Sequence, residues 1–169
     1  MIVSDDQDAI DTAWRIHDAN LDWTGKAETK ASFALAIESA LLAGVLALTS
    51  TGERLAHLAG NWVLFFFWLG LTLIGLSLLG AGVAVFPRLE KANARKLAAQ
   101  SNFIYFGHVR LLEPRELEAK LRGSEMLPVL SRQLVTTANI AWRKHRSLQF
   151  SFACVFPGAM CILAAIALK

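Results

Sequence analysis

The chain has 169 residues, enough for one domain, and is 54% apolar but only 18% charged. An ordinary soluble domain carries about 25% charged residues, so this composition already sets the chain apart from that class. The net charge is a modest +3, yet 12 of the 17 Lys and Arg lie between Arg88 and Arg146, and six of the 14 acids lie between Asp5 and Asp22. A cationic segment beside apolar runs points to anionic lipid headgroups before nucleic acid.

Ser4-Asp5-Asp6 reads as a helix start, an N-cap followed by acids in the first turn. Ile10, Trp14, His17 and Leu21 recur at helical spacing, with Asp8, Asp11, Asp18 and Asp22 on the other faces. Residues 1–30 are therefore expected to form an amphipathic helix, either a plain packing helix or an arm that contacts a partner. No secretory signal is visible, because this N-terminus is acidic and no apolar run begins before Ala31. The first span, over residues 31–50, is expected to act as an uncleaved insertion signal. It contains one ionisable group, Glu38. No Pro interrupts the way from the arm into this span, so helix could continue through it.

A short loop over 51–61 leads to the longest apolar run, Trp62 to Phe86, which has no charged side chain. At 1.5 Å per residue a helix of this length exceeds the ~30 Å hydrocarbon core of a bilayer. Trp62 sits where an interfacial aromatic belongs. Pro87 ends the run. Residues 87–147 read as a basic helical segment: a helix over Leu89–Gln100, a compact aromatic piece at Asn102–Val109, a helix from Pro114 to Gly123, and a longer one over Glu125–Arg146. Pro114 is placed at N1, where its missing N–H costs nothing. The last helix puts Leu127, Leu130, Leu134, Ala138 and Ala141 on one face. It leads into a third apolar run, 148–168, with Pro157 inside.

The expected fold is all-α: an integral membrane protein with three transmembrane helices and a small cytosolic helical headpiece. The excess of Lys and Arg over 88–146 places that segment and the N-terminus in the cytoplasm. Cys154 and Cys161 share a face of the third span, too far apart along a helix to bridge each other, and are read as small apolar residues, with an intermolecular bridge as the alternative.

Enzyme signatures are absent. There is no phosphate-cradling Gly-rich loop, HExxH, GxSxG or CxxC, and the four His residues show no metal-ligand spacing, so no catalytic or metal site is expected. Glu38 stands out, since an ionisable group in a span costs at least ~2.5 kcal/mol. Two readings stay open: an acid lining a pore or gate, or a side chain that snorkels to the headgroups or is protonated. Gly70, Gly75, Gly80 and Gly82 allow close packing within the chain or in an oligomer. Pro157-Gly158 could be a hinge. The run Arg143-Lys144-His145-Arg146 either anchors the third span or, with Asn102, Tyr105, His108 and Arg110, binds an anionic ligand. Aromatics beside guanidiniums are what a nucleotide needs.

Four segments together resemble a known family. They are Glu28-Thr29-Lys30-Ala31-Ser32, Phe86-Pro87-Arg88, Ile104-Tyr105-Phe106-Gly107-His108 and Trp142-Arg143-Lys144-His145. In order and spacing they resemble the transmembrane effector of Pycsar, a bacterial anti-phage system, over Ala13 to Leu168. The resemblance implies a partnership with a neighbouring pyrimidine nucleotide cyclase, whose product, cyclic CMP or cyclic UMP, activates the effector. It implies a multi-pass protein of the bacterial inner membrane that impairs that membrane and ends the infected cell; the expected assembly is a homo-oligomer. No cofactor other than the activating nucleotide is implied, and no nucleic acid. The sequence lacks a recognisable cyclic-nucleotide-binding fold, so a nucleotide would have to meet the helical headpiece. The alternative is a membrane-anchored scaffold that recruits a soluble partner and makes no pore.

Overall fold

The structure is a computed structural model that describes residues 2–49, 61–86, 102–123 and 125–168. Its elements are α1 (Ile2–Thr49), α2 (Asn61–Val85), α3 (Phe106–Val109), α4 (Pro114–Gly123) and α5 (Met126–Ala167). Among the described residues there is no strand. The loop before Asn61, the Pro87–Arg88 stop and the helix expected over 89–100 lie outside the described residues. Among the described residues three helices are long and apolar enough to cross a membrane, at Asp6–Ala47, Asn61–Val85 and Met126–Ala167.

α1 is already helical at Ile2, so Ser4 lies inside the first turn rather than at the N-cap. Ser costs little there, since the first N–H groups have no intrahelical partner in any case. Gly25 does not interrupt the helix: one Gly costs about 1 kcal/mol, small against a 48-residue element. α5 likewise runs for 42 residues, through Pro157.

The chain divides into two compact units. Unit 1 takes Met1–Gly25 and Pro87–Trp142, and unit 2 takes Lys26–Phe86 and Arg143–Lys169.

In unit 2 the three apolar segments form a bundle. Along α2 the buried stripe is Val63, Phe67, Gly70, Ile74, Ser77, Ala81 and Ala84, with spacings that alternate four and three. The unit 2 part of α1 buries Ala27, Ala31, Ala34, Glu38 and Val45, and that of α5 buries Leu148, Ser151, Cys154, Ile162 and Ala165. A 3.5-residue period keeps one seam of each helix facing its neighbours, as in coiled-coil packing. Direction follows from the core clusters. Ala31, Ala34, Ala81, Ala84 and Leu148 pack together, and so do Val45, Val63, Phe67, Ile74, Ile162 and Ala165. Rising numbers in α1 and α5 thus meet falling numbers in α2, which is antiparallel to both. One end of the bundle is built of alanines and the other of bulky side chains.

Gly70 and Gly158 let α2 and α5 touch. A Cβ on Gly70 would lie 2.8 Å from the Gly158 carbonyl oxygen, and one on Gly80 would lie 3.2 Å from that of Ser147. Two of the span glycines thus serve packing inside the chain, whereas a Cβ on Gly75 would meet nothing within 4 Å.

In unit 1 the buried faces differ from the expected ones. α1 buries Ala13 and His17, while Trp14 and Leu21 are exposed. α5 buries Leu130, Gln133, Thr137 and Ala141, while Leu127 and Leu134 are half-buried and Ala138 is exposed. Polar partners turn the face: Gln133 is held by Asn102, and the Thr137 hydroxyl donates back to the Gln133 carbonyl at 3.0 Å. Hydrophobicity alone weighs such residues as outward-facing.

Candidate functional site

A serine in a span ordinarily hides its hydroxyl by donating to the carbonyl one turn back. Ser32 and Thr72 do this, to Glu28 and Trp68 at 2.9 and 2.8 Å. Ser77 and Ser151 do something else. They sit on the buried seams of α2 and α5, level with Glu38 on α1, and the three side chains meet in the middle of the bundle. Ser77 Oγ lies 2.6 Å from Glu38 Oε1, and Ser151 Oγ lies 2.7 Å from the same oxygen. Ser77 Oγ is also 2.8 Å from the Ser151 carbonyl and 3.1 Å from Ser151 Oγ. Each span contributes one side chain to this layer.

The layer is buried and short of donors. Both serines are fully buried and Glu38 is 2% exposed. Each hydroxyl has one proton to give, so the four contacts are alternatives that share two hydroxyl protons. Glu38 Oε2 is buried without a hydrogen-bond partner. Ser77 lies eight residues, about 12 Å, inside the Val85 end of α2. Glu38 is thus directed into the bundle.

Pro157 is exposed and Gly158 is buried, the latter at the close approach to Gly70. Toward the alanine-rich end two further polar contacts cross between helices. Ser147 Oγ donates to the Gly80 carbonyl at 3.0 Å. Lys144 Nζ forms an ion pair with Glu28, with the lysine side chain 15% exposed and the glutamate 47%. Arg143, beside it, is exposed.

The remaining expected ligand residues lie in unit 1. Asn102, Tyr105 and His108 do come together, but with their polar groups turned on each other. Asn102 Nδ2–H donates to Gln133 Oε1 at 2.8 Å, and its Oδ1 accepts from the Ile104 N–H at 3.2 Å. His108 Nδ1 is 3.0 Å from the Asn102 carbonyl, so that nitrogen is the donor. Tyr105 stands edge-on to His108, with ring centroids 5.1 Å apart. Arg110 is exposed. Gln133, missed in the sequence, completes this cluster; its signal was an amide at helical spacing from Leu130 and Ala141.

On the outer face of α1, Thr12, Arg15, Ile16, Ala19, Asn20 and Trp23 form a shallow open patch. His17, on the inner face, has a buried Nδ1 without a hydrogen-bond partner. Among the described residues no group of three His, Cys, Asp or Glu could hold a metal ion. Cys154 and Cys161 are both free.

Neither a curated protein nor a solved structure matches the chain. The model of one family, PycTM, the Pycsar effector protein domain, matches residues 12–169. That match takes in all three spans, the Glu38 layer and the Asn102 cluster. With three helices fit to cross a bilayer and a family match over nearly its whole length, the chain is a membrane protein of the Pycsar effector family, which serves in anti-phage defence.

Proposed function

We propose that this protein is the inner-membrane effector of its Pycsar system, silent until a cyclic pyrimidine nucleotide, cyclic CMP or cyclic UMP, made by a partner cyclase, opens a leak. The observation that carries this reading is the Glu38–Ser77–Ser151 layer. Lipid supplies no water to a parted bundle, so a polar layer that joins all three spans holds them while it is satisfied. This one is only partly satisfied, with Glu38 Oε2 unpartnered. Parting into lipid is thus resisted, whereas an opening that admits water along the seam would hydrate the carboxyl and turn the seam into a polar path. The nucleotide must prefer the open form, since a ligand shifts an equilibrium only by its differential affinity. Several copies assemble in this reading, with the N-terminus cytoplasmic. In this reading the nucleotide meets Arg143 and Lys144 in unit 2 or, as a separate site, Asn102, Tyr105, His108 and Arg110 in unit 1, and Pro157-Gly158 yields as the spans move.

The test is release of dye from vesicles that hold the purified protein, with cyclic CMP, cyclic UMP, cyclic AMP and cyclic GMP added separately. Release with one pyrimidine nucleotide supports the reading and names the messenger. No release with any of them, from vesicles with correctly oriented protein, sinks it.

The exposed apolar patch on α1 favours a second reading, a membrane-anchored scaffold. Trp23 and Ile16 are exposed beside Arg15, a surface suited to a partner protein. That reading expects removal of residues 1–20 to abolish defence while the intact protein never permeabilises vesicles.

A further inference from the structure

Lys144 occupies an unusual place for a lysine. It lies three residues after buried Ala141 and four before buried Leu148, on the seam of α5 that faces the bundle. Its ammonium is held by Glu28 of α1, whose side chain is half open to solvent. Glu28 is outnumbered. Within two residues of the pair in sequence stand Lys30, Arg143 and Arg146, so the short stretches that carry the pair, 28–30 and 143–146, hold four cations and one carboxylate, without His145. Such a field draws in anions, and a phosphate oxygen competes with a carboxylate for the same ammonium. Glu28 can swing into water, whereas Lys144 is fixed on the seam.

We propose that the Glu28–Lys144 pair is a clasp between α1 and α5 that a phosphodiester anion opens by taking the place of the Glu28 carboxylate on Lys144. The inference rests on the leak reading above and names the contact through which that leak is released. The clasp closes the end of the bundle where Ala31, Ala34, Ala81 and Ala84 pack. Released there, α1 is free to part from α5 toward Glu38. A phosphodiester reaches this place from two sources, a cyclic nucleotide or a lipid headgroup, and both present the same singly charged group.

The experiment compares wild type, Glu28→Gln, Lys144→Gln and the swap E28K/K144E in dye-loaded vesicles. One set is phosphatidylcholine alone, the other contains phosphatidylglycerol, and each is tested with and without cyclic CMP or cyclic UMP. The two Gln variants are expected to leak unprompted. The swap keeps a clasp but presents a carboxylate where the anion must bind. With helicity and size unchanged, it is expected to stay closed and to need about tenfold more anion, or never to respond. Wild-type release driven by nucleotide in neutral vesicles assigns the anion to the nucleotide. Release that follows phosphatidylglycerol without nucleotide assigns it to lipid. A swap that responds at the wild-type midpoint overturns the clasp, and so do Gln variants that stay closed while wild type opens. Gln variants that leak while wild type ignores every anion overturn displacement by an anion but leave the leak standing. Silence of all four proteins in every vesicle sinks the leak reading and the clasp with it.

Discussion

Removing the serines around Glu38 is the sharpest perturbation the structure offers. Ser77→Ala deletes a hydroxyl within 2.6 Å of Glu38 Oε1 and 2.8 Å of the Ser151 carbonyl. Interhelical hydrogen bonds inside bilayers average about 0.6 kcal/mol and reach about 1.7. Since one proton serves both contacts, the direct loss is about 1 kcal/mol. Glu38 is then left with one donor, and an under-satisfied buried group adds about 1–3 kcal/mol. Ser77→Ala and Ser151→Ala are each expected to cost about 1–3 kcal/mol. The double variant leaves the carboxyl without a donor in the hydrocarbon, for which ~2.5–3.5 kcal/mol is the scale of the insertion penalty.

The decisive variant is E38L/S77A/S151A. It removes every polar group of the layer at little change of volume, and is expected to fall within about 1 kcal/mol of wild type. Ser77→Ala in a Glu38→Leu background should cost less than about 0.5 kcal/mol, which makes the cycle strongly non-additive. Reversible unfolding in mixed micelles, followed by helicity, gives each term. If Ser77→Ala and Ser151→Ala change stability by less than about 0.3 kcal/mol and add with Glu38→Leu, the layer does not hold the spans together and the gating argument loses its foundation.

Gly70→Ala is expected to destabilise the bundle by about 1–3 kcal/mol through overpacking, because its Cβ would lie 2.8 Å from the Gly158 oxygen. Gly75→Ala, open on all sides, serves as the control and should change nothing in the same unfolding assay. Gln133→Leu takes the acceptor from the buried Asn102 amide and should cost about 1–3 kcal/mol, visible as faster proteolysis around residues 102–109. Pro157→Ala restores an N–H to a helix that already runs through this position, so folding should hold. A loss of ligand-driven release in a fully folded Pro157→Ala protein would mark Pro157 as a hinge.

The spans were legible in the sequence because lipid constrains every residue of a crossing helix; Trp62 to Phe86 carries that constraint without exception. The continuity of α1 and α5 was legible from the absence of breakers between arm and span. Glu38 was legible as a cost, and Asn102, Tyr105 and His108 as a polar-aromatic group. Ser77 and Ser151 were not, since a serine among apolar residues satisfies itself on its own helix unless a partner stands opposite, and the partner is a tertiary fact. For the same reason Gln133 was passed over and the inward face of α5 was drawn through Leu127 and Leu134 in place of Gln133 and Thr137. Large apolar residues dominate a reading by hydrophobicity. Close helix packing favours small ones, so Ala13 turned inward and Trp14 outward.

The two ends of the bundle are held by different forces, and this decides where it parts. Val45, Phe67, Ile74 and Ile162 interlock at one end, with Leu41, Leu42, Phe66, Leu71 and Leu78 around them. Their attraction is dispersion, and a lipid chain or a water that replaces one bulky neighbour recovers only a fraction of a fitted contact. At the other end the smaller Ala31, Ala34, Ala81 and Ala84 pack around Leu148, and three polar ties are added: Glu28 to Lys144, Ser147 to the Gly80 carbonyl, and the Glu38 layer below. Polar ties can be exchanged at low cost for water, an ion or a phosphate, because each partner is equally served by the newcomer. A ligand that carries only charge and hydrogen-bonding groups therefore has leverage at the alanine end and almost none at the bulky end. The spans should separate from Glu28–Lys144 inward and pivot on the Gly70–Gly158 contact. Cysteine pairs in the membrane-inserted protein test that polarity: a crosslink between positions 28 and 144 should block release, whereas one between positions 67 and 162 should leave it intact.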